Sequence, residues 1–522
     1  MVNATRKCGG VYLYANQRGC DGGRCYYDGG AMIVCNGQVL AQASQFGLYD
    51  VEVVTATVDL EDVRSYRASI PSFGMQAEAL EHKKSTFILC ENARLCHTGV
   101  ESSPTESISL RSHLAEEECL LGPALWLWDY LRRSRAAGFF LPLSGGADSS
   151  SVAIIVFAMC DMVTKAAQAD PMGNVAKDCR RVCQMEDCPG DPFWVPPRPQ
   201  DMANRLLHSV FMGTNNSSEA TRSRAQRLST SVGAYHLSIK IDIIVEAMVK
   251  MFYMATGHTP RYAVHGGQNS EDLALQNIQA RLRMVTAYLF AQLLPLVRGR
   301  SGFLLVLASA NVDEGLRGYM TKYDCSSGDL NPIGAISKTD LKRMLLFAAK
   351  KYDMSVLEEI AGAPPTAELR PNNTVDGVDI EHSQKDEEEM GMSYEELSYF
   401  GRLRKLSRCG PVSMFCKLRV MWSNLAPVEV ATKVKRFFYF YSINRHKMCT
   451  ITPAYHAEGY SPDDNRFDLR QFLYNTQWTR QFSVIDDLAK TQSQNNSLRL
   501  NSTQTFVDSP IAVRKKVPQK DL

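Results

Sequence analysis

Residues 144–149, Ser-Gly-Gly-Ala-Asp-Ser, combine side chains and backbone freedom suited to anion chemistry. The apolar run 139–143 precedes them, and an apolar run with helical spacing follows. This pattern predicts a buried strand, a glycine turn and a helix whose first turn contains Asp148. The start of such a helix has unpaired backbone N–H groups and the positive end of the helix dipole. Because Gly145 and Gly146 let an anion approach without meeting a Cβ, the sequence predicts an anion site.

This loop has two interpretations. The simpler one is a glycine turn with a serine N-cap. The loop does not have the G-x-x-x-x-G-K-[ST] spacing of a Walker A loop. The unit of strand, Ser-Gly-Gly-x-Asp-Ser and helix instead resembles the pyrophosphate loop of the ATP pyrophosphatases, which split ATP into AMP and pyrophosphate. In this second interpretation Asp148 holds a magnesium ion, because a hard divalent cation prefers carboxylate oxygens near phosphate.

Strand-like and helix-like segments alternate around the loop. The further predicted strands are 206–212, 234–241 and 303–308, and the predicted helices are 150–168, 242–256 and 273–297. This order predicts an α/β fold with a parallel sheet and helices on both faces. Ligands of such sheets bind beyond the carboxyl ends of the strands. The candidate binding residues are therefore the polar segments that follow strands, namely 144–149, 214–218 and 309–314.

The composition limits the class of protein. A chain of 522 residues with 45% apolar residues has room for two or three domains with sizeable cores. The formal net charge of +2 argues against a nucleic-acid partner held by a basic surface. No uncharged apolar stretch is long enough for a transmembrane helix, and the N-terminus does not have the apolar core of a signal peptide. We therefore expect no membrane partner, and we expect the 15 cysteines to be reduced thiols in the cytoplasm.

The segment before the loop is predicted to be rich in β structure. Residues 31–41 form a predicted hairpin with an Asn-Gly turn, and 51–60 form a further predicted strand. Cys20 lies in a glycine-rich turn, and a cysteine nucleophile there would need a base supplied by the fold. Residues 116–138 are predicted to form a helix that ends at Gly138.

Several other segments have weaker patterns. Residues 169–204 read as an insertion, and the spacing of Cys179, Cys183 and Cys188 does not favour a zinc site. The segment 362–396 contains an acidic run, which suits either a solvated loop or a mobile lid. The basic clusters 434–438 and 444–447 suit a substrate-phosphate site or simple packing.

Six blocks of sequence together carry a resemblance to a known family. The chain resembles glutamine-dependent NAD(+) synthetase of the eukaryotic type in residues 141–149, 213–218, 273–283, 309–314, 321–334 and 444–448. The resemblance implies a ligase that adenylates the carboxylate of deamido-NAD(+) with Mg-ATP and releases pyrophosphate. Ammonia then attacks the acyl-adenylate and gives NAD(+) and AMP. It also implies a homo-octamer.

The resemblance also assigns roles to residues. It implies that Cys20 and Ser144 act in catalysis and that Asp148 and Glu314 are magnesium ligands. The implied ATP-binding residues are Pro142, Leu143, Ser144, Gly145, Gly146, Ala147, Asp148, Ser149 and Ser309. The implied contacts to deamido-NAD(+) are Asn277, Glu314, Tyr319, Thr321, Lys322 and Lys447.

The family obtains ammonia from an N-terminal nitrilase-like domain, an α/β/β/α sandwich that hydrolyses glutamine with a Glu-Lys-Cys triad. Residues 16–22 resemble the nucleophile stretch, which makes Cys20 the matching nucleophile. The Glu and Lys of the family lie well upstream, whereas 19 residues precede Cys20 here. Because a thiol without its base is not activated, we expect a partial nitrilase-like domain that does not hydrolyse glutamine. The chain is then a truncated form or an enzyme that uses free ammonia.

These inferences predict four regions and leave two alternatives. The regions are a partial nitrilase-like glutaminase domain (1–75), a linker (76–115), an NAD synthetase or ATP pyrophosphatase domain (116–480) and a disordered tail (481–522). One alternative is another ATP pyrophosphatase, such as GMP synthetase or a tRNA-thiolating enzyme, although the blocks from 309 to 334 argue against it. The other alternative is an inactive truncated isoform that only assembles with full-length subunits.

Overall fold

The computed structural model describes residues 1–79, 103–187, 190–371, 374–375, 378–379, 385–462 and 472–507. The described residues form two compact units. The first unit takes its residues from Met1–Asn311, Thr321–Lys385 and Thr452–Ala457. The second takes its residues from Val312–Met320, Asp386–Ile451 and the described part of the chain after Ala457.

The strands are short. They are β1 Val11–Tyr14, β2 Arg18–Cys20, β3 Tyr26–Asp28, β4 Met32–Cys35, β5 Gln38–Gln42, β6 Phe139–Pro142, β7 Leu207–Gly213, β8 Tyr235–Lys240, β9 Leu305–Val306, β10 Thr374–Val375 and β11 Val378–Asp379.

The helices of the first unit are α1 Val2–Cys8, α2 Leu60–Ala68, α3 Pro71–Ala79, α4 Ala115–Ser134, α5 Ala147–Ala169, α6 Asn174–Cys183, α7 Pro199–Leu206, α8 Glu219–Val232, α9 Asp242–Thr256, α10 Asn269–Val297, α12 Lys338–Tyr352 and α13 Ser355–Gly362, with a short 3₁₀ helix at Ala263–His265. Those of the second unit are α11 Val312–Arg317, α14 Asp386–Met390, α15 Tyr394–Gly401, α16 Pro411–Met421, α17 Pro427–Ile443 and α18 Thr479–Val507, with a π-helix at Arg402–Leu406 and a 3₁₀ helix at Asn444–Thr450.

A four-stranded parallel sheet in the order β8-β7-β6-β9 carries the predicted site. Every residue of β7 is buried, as expected for a strand with both faces covered. Helices follow the strands, so the carboxyl ends of β6, β7 and β9 lie at one edge of the sheet. The predicted α/β architecture with a parallel sheet is confirmed.

Helix α5 forms the centre of the first unit. Among the described residues it is the one helix long and apolar enough to cross a membrane, and 83% of its apolar window is buried in the protein interior. Its buried side chains pack with those of α4, α6, α7 and α12 in one continuous apolar core. This burial is typical of a core helix.

The N-terminal hairpin has the predicted turn. β4 and β5 pair antiparallel across Asn36 and Gly37, both of which have positive φ. β1 joins β4 in a three-stranded sheet. The predicted strand at 51–60 does not form, because Val51 and Val53 are each 79% exposed and α2 begins at Leu60.

Helix α4 ends earlier than predicted. It stops at Ser134, where Arg135 takes the left-handed conformation, rather than at Gly138. Gly138 has φ +144°, and a Cβ there would lie 2.3 Å from the carbonyl oxygen of Leu206. The glycine is therefore required for the entry into β6.

Other segments are more regular than the sequence suggests. The 169–204 insertion contains α6 and α7, with Cys179 and Cys183 buried, while Cys188 lies outside the described residues. Residues 103–114 of the expected linker contact the N-terminal sheet, since the Ile108 N–H donates to the Val39 carbonyl over 2.8 Å. Residues 80–102 of that linker, and part of the expected lid, lie outside the described residues.

The second unit has its own apolar core. Phe437 and Phe438 of α17 are fully buried and pack with side chains of α15, α16 and α18. The expectation of disorder from residue 481 is wrong for the described part of α18, because Ile485 and Ala489 are buried in this core. Residues 508–522 of the expected tail lie outside the described residues.

Candidate active site

The turn between β6 and α5 is the predicted anion loop. The Leu143 N–H donates to the Val210 carbonyl over 3.0 Å, which extends the pairing of β6 with β7 up to the loop. Gly145 has φ +79°, and a Cβ there would lie 2.1 Å from the carbonyl oxygen of Thr221 in α8. Only glycine fits this position, because both the backbone conformation and the close approach of α8 exclude a side chain.

Two serine side chains stabilise the loop. The hydroxyls of Ser144 and Ser149 lie 3.0 Å apart, and the Ser144 N–H donates to Ser149 Oγ over 3.2 Å. The Gly146 N–H donates to Ser144 Oγ over 3.3 Å. Ser149 is buried, whereas Ser144 is exposed at the open side of the turn. Ser149 therefore positions Ser144, and the N-terminus of α5 opens on the same side.

Asp148 in the first turn of α5 has two partners from distant segments. Asn311 Nδ2 donates to Asp148 Oδ1 over 3.0 Å, and the Lys338 ammonium forms an ion pair with Oδ2. The Lys338 side chain is 4% exposed and the Asp148 side chain 19% exposed. A buried ammonium needs a carboxylate to offset its desolvation, so this pair fixes the direction of the Asp148 side chain.

The loop after β7 is closed by a glutamate from the expected lid segment. Glu368 accepts hydrogen bonds from the N–H and hydroxyl of Ser218, over 3.0 and 2.7 Å, and from the Thr221 hydroxyl over 3.0 Å. Ser218 is the N-cap of α8. A carboxylate thus lies against the N-terminus of α8, where the helix dipole favours negative charge.

The expected substrate residues of the first unit lie near the end of β9 and on α10. The Thr321 hydroxyl donates to Asn277 Oδ1 over 2.7 Å, and Arg281 Nε donates to the Lys322 carbonyl over 3.0 Å. Ser309 follows β9 at the same sheet edge and is half-buried. The structure therefore brings Asn277 and Thr321 together and holds the Lys322 backbone against α10.

The other expected substrate residues, Glu314, Tyr319 and Lys447, belong to the second unit. Glu314 Oε1 accepts from the Tyr394 hydroxyl over 3.1 Å. The Tyr319 hydroxyl donates to Glu389 Oε2 over 2.7 Å, and burial together with the nearby carboxylates raises the pKa of Tyr319 far above its usual value. Lys447 Nζ donates to the carbonyls of Gly318 and Met320 over 2.8 and 2.7 Å. These contacts gather the three residues around the end of α11.

A carboxylate at the start of α14 also accepts hydrogen bonds in this part of the second unit. Asp386 begins α14 and accepts from the hydroxyls of Tyr319 and Tyr394 over 3.3 and 3.2 Å. The acidic run that begins at Asp386 is therefore a helix with a buried first residue rather than a solvated loop.

Cys20 ends β2 beside a cavity of about 640 Å³. Its N–H donates to Asp129 Oδ2 of α4 over 2.9 Å, and the Gly22 N–H donates to Cys20 Sγ over 3.4 Å. Burial raises the pKa of the Cys20 thiol to about 11, and the charges of Asp21 and Asp129 act in the same direction. This environment keeps the thiol protonated near neutral pH.

The candidate magnesium ligands, Asp148 and Glu314, lie in different surroundings. No group of three or more metal-ligating side chains occurs within the described residues. A single, partly exposed carboxylate such as Asp148 still suits magnesium, which is commonly bound by one or two carboxylates plus substrate phosphates. Glu314 belongs to the other unit and has its own partner in Tyr394.

Comparison with known proteins identifies the family. Residues 123–406 match the NAD synthase family, and residues 1–68 match the carbon-nitrogen hydrolase family. A glutamine-dependent NAD(+) synthetase of Saccharomyces cerevisiae is 55% identical over 497 residues, covering 94% of this chain and 68% of that protein. The chain belongs to the glutamine-dependent NAD(+) synthetases.

Further relatives agree with this assignment. The glutamine-dependent NAD(+) synthetase of Homo sapiens is 52% identical over 486 residues, which is 92% of this chain and 67% of that protein. The crystal structure of a glutamine-dependent NAD(+) synthetase from Cytophaga hutchinsonii matches with a TM-score of 0.66 at 22% identity, covering 93% of this chain and 67% of that one. The structural match supports a shared fold, and the sequence matches show that the chain belongs to the family.

For this NAD(+) synthetase, the sequence locates the loop but misses its partners. The sequence assigns no site role to Lys338, and it places Glu368 only in the 362–396 segment that suits a solvated loop or a mobile lid. Their signals are weak, because a lysine after a serine N-cap and a glutamate in a Pro-rich segment are common on protein surfaces. The roles assigned to single residues by resemblance remain predictions.

Proposed function

We propose that this chain amidates deamido-NAD(+) to NAD(+) in an ATP-dependent reaction. The observation that carries the proposal is the loop 144–149 at the carboxyl edge of the parallel sheet, where the start of α5 opens beside Asp148. This loop offers backbone N–H donors to the phosphates of ATP.

In the first step, a carboxylate oxygen of deamido-NAD(+) attacks the α-phosphorus of ATP. The bond from that phosphorus to the bridging oxygen breaks, and pyrophosphate leaves with the negative charge. Ser144 and the N–H groups at the start of α5 stabilise the charge that develops on the phosphates. Gly145 allows this close approach.

In the second step, ammonia attacks the acyl carbon of the adenylate. The carbon–oxygen bond to AMP breaks, AMP leaves, and the nitrogen loses a proton to give the amide of NAD(+). We propose that Asn277, Thr321 and Lys322 of the first unit contact deamido-NAD(+). The hydrogen bond between Thr321 and Asn277 holds both side chains in place for that contact.

We propose that magnesium enters with ATP and that Asp148 holds it. The ion would supply positive charge against the phosphates. Asn311 and Lys338 orient the Asp148 carboxylate.

We propose that free ammonia is the nitrogen donor for this chain and that Cys20 does not hydrolyse glutamine. The supporting observation is the raised pKa of the Cys20 thiol, since the thiolate is the nucleophile.

The test measures NAD(+) formation from deamido-NAD(+) and Mg-ATP with ammonium or glutamine in separate reactions. Activity with ammonium alone is the expected result. Activity with glutamine as well would contradict the proposal for Cys20. Activity with neither donor would contradict the ligase proposal and favour an isoform that only assembles with full-length subunits. Cys20→Ser is the matched control, because it should leave the ammonium reaction unchanged.

We propose a homo-oligomer assembled partly through α9 and α10. Val285, Leu289, Leu293 and Leu296 follow helical spacing along α10 and are 65%, 57%, 46% and 73% exposed. Helix α9 has no buried residue, although Ile243, Met251 and Met254 are apolar. Exposed apolar side chains of this kind mark a protein contact, and a second copy presents the same side chains. Val285→Glu combined with Leu289→Glu should lower the mass measured by analytical ultracentrifugation, and an unchanged mass would contradict this interface.

We propose a cytoplasmic location. The buried cysteines Cys160, Cys179 and Cys183 form no disulfide, as expected in a reducing compartment. Imaging of a fluorescent fusion of the full chain tests the location, and accumulation in an organelle would contradict it.

A further inference from the structure

A basic cavity lies at the opposite edge of the parallel sheet from the 144–149 loop. Its volume is about 410 Å³, and its lining residues are Gln184, Asp201, Asn204, Arg205, Arg298, Gly299 and Arg300. Arg205 precedes the first residue of β7, whereas the loop follows the last residues of β6. A strand of this length spans roughly 20 Å, so the cavity is separate from the proposed ATP site.

Three arginines give the cavity its charge. In the described part of the chain, Arg205, Arg298 and Arg300 form no ion pair with a carboxylate. The one acidic residue of the lining, Asp201, is paired with Arg198 over 2.9 Å. Burial and the charges of Arg205 and Arg298 lower the pKa of Arg300 to about 10. The three guanidinium groups therefore repel one another around an open cavity.

Hydrogen bonds to backbone carbonyls hold these guanidinium groups in place. Arg298 donates to the Asn204 carbonyl over 2.6 Å and to Asn204 Oδ1 over 2.8 Å. Arg300 donates to the carbonyls of Ala137 and Val182 over 3.0 and 3.3 Å. Because their positions are fixed, a ligand that meets them loses little entropy of ordering.

Capping of helix ends by arginine accounts for part of this arrangement. Arg205 donates to the Cys183 carbonyl at the end of α6 over 3.2 Å, and cations favour helix C-termini. Capping does not require three cations around one cavity. It also leaves donors unused, since Arg205 makes one such bond in the described part of the chain, through Nη1.

We propose that this cavity binds a phosphate group, either as inorganic phosphate or as a small phosphate monoester. A dianion neutralises the repulsion among the arginines, and a guanidinium presents paired N–H donors that match two phosphate oxygens. Binding connects the end of α7 with the residues that follow α10, so the ligand stabilises that junction. The site is independent of the proposed ligase reaction.

The experiment measures the thermal unfolding of the full chain with inorganic phosphate, glycerol phosphate or sodium chloride at equal ionic strength. We expect either phosphate ligand at about 10 mM to raise Tm by roughly 2–4 °C above the chloride value. Arg205→Met should abolish this increment. Arg227→Met is the matched control, because Arg227 is a half-exposed arginine paired with Glu359 on another helix.

The outcomes separate this site from the 144–149 loop. The proposal is supported if phosphate no longer raises the Tm of Arg205→Met but still raises the Tm of Arg227→Met. Retention in both variants would locate the phosphate elsewhere and overturn it, and so would a wild-type chain without an increment. A monoester effect without an inorganic phosphate effect, or the reverse, identifies the source of the phosphate group.

Trp194 provides a second measurement if Arg205→Met does not fold. The Arg205 guanidinium carbon lies 5.6 Å from the Trp194 ring centroid. We expect phosphate to change the tryptophan fluorescence of the wild-type chain and not that of Trp194→Phe. A wild-type signal that does not respond to phosphate would overturn the proposal.

Discussion

Lys338 at the start of α12 forms an ion pair with Asp148 at the start of α5, and the two residues lie 190 positions apart in the sequence. The two members differ in their surroundings. The lysine side chain is 4% exposed, whereas the aspartate side chain is 19% exposed and also accepts from Asn311. Removing the aspartate and removing the lysine should therefore lower the free energy of unfolding by different amounts.

This difference predicts the order of stability of two variants. Asp148→Asn removes a carboxylate that is paired with the buried Lys338 ammonium, so we expect a loss of about 3 kcal/mol in the free energy of unfolding. Lys338→Met leaves a partly solvated carboxylate with its Asn311 contact, so we expect about 1–2 kcal/mol. Urea denaturation of both variants and of the double variant measures the coupling. Equal losses in the two single variants would contradict this interpretation of the pair.

Gly145 and Gly146 give a matched pair of substitutions in the loop. Gly145→Ala forces a side chain into a left-handed conformation and against the Thr221 carbonyl, so we expect a loss of about 2–4 kcal/mol. Gly146 has φ −87°, and a Cβ there would lie 3.4 Å from Ser144 Oγ. Gly146→Ala should therefore fold with nearly wild-type stability. The comparison uses urea denaturation, and similar losses in both variants would show that the turn tolerates a side chain at Gly145.

For the 144–149 loop, the sequence predicts the local structure but not the contacts made by distant segments. The strand, the turn and the start of α5 follow from local patterns within about ten residues, so they were predictable. Lys338 and Asn311 reach Asp148 only through tertiary packing, at separations of 190 and 163 residues. Similarly, Glu368 lies 150 residues from Ser218. The spacing of apolar residues along the chain does not predict such contacts.

Burial explains the other differences from the sequence prediction. The described part of α18 has few apolar residues, and its polar composition favoured disorder. Its Ile485 and Ala489 are nevertheless buried beside α17. The 51–60 segment shows the opposite case, because its Val51 and Val53 lie at the surface. The sequence shows which residues are apolar but not which surface will be there to cover them.

Glu368 should control the order of its own segment. Glu368→Gln weakens three hydrogen bonds to Ser218 and Thr221 and removes a negative charge from the N-terminus of α8. We expect faster amide hydrogen exchange in residues 366–371 with little change in global stability. Glu359→Gln is the control, because Glu359 of α13 pairs with Arg227 of α8 at a half-exposed site. Unchanged exchange in Glu368→Gln would show that the other contacts of the segment hold it.

The raised pKa of Cys20 predicts a distinct alkylation profile. Because its pKa is raised to about 11, the thiolate fraction should rise about tenfold per pH unit between pH 7 and 10. Iodoacetamide labelling followed by peptide mass spectrometry measures this rise. Cys449 is an exposed thiol in the second unit and serves as the internal reference at pH 7.5. Labelling of Cys20 at least as fast as Cys449 at that pH would contradict a protonated, partly buried thiol.

His208 predicts a loss of stability in acid. Burial, followed by the charges of Arg298 and Arg300, lowers its pKa to about 3. The unfolded chain has a histidine pKa of about 6.5 and therefore binds more protons below that pH. The stability associated with the neutral imidazole is present above pH 6.5 and is lost as the pH falls toward 3. We expect a contribution of roughly 2 kcal/mol to the loss between pH 6.5 and 4.5.

His208→Gln tests this assignment. The variant removes the titrating group, so its free energy of unfolding should fall less between pH 6.5 and 4.5 than that of the wild-type chain, whatever its stability at neutral pH. His258→Gln is the control for substitution at an exposed histidine, because the His258 side chain is 60% exposed. Urea denaturation at several pH values measures the slopes. The slope of the free energy of unfolding against pH reports on proton uptake at His208. If His208→Gln keeps the wild-type slope, the acid sensitivity belongs to other groups.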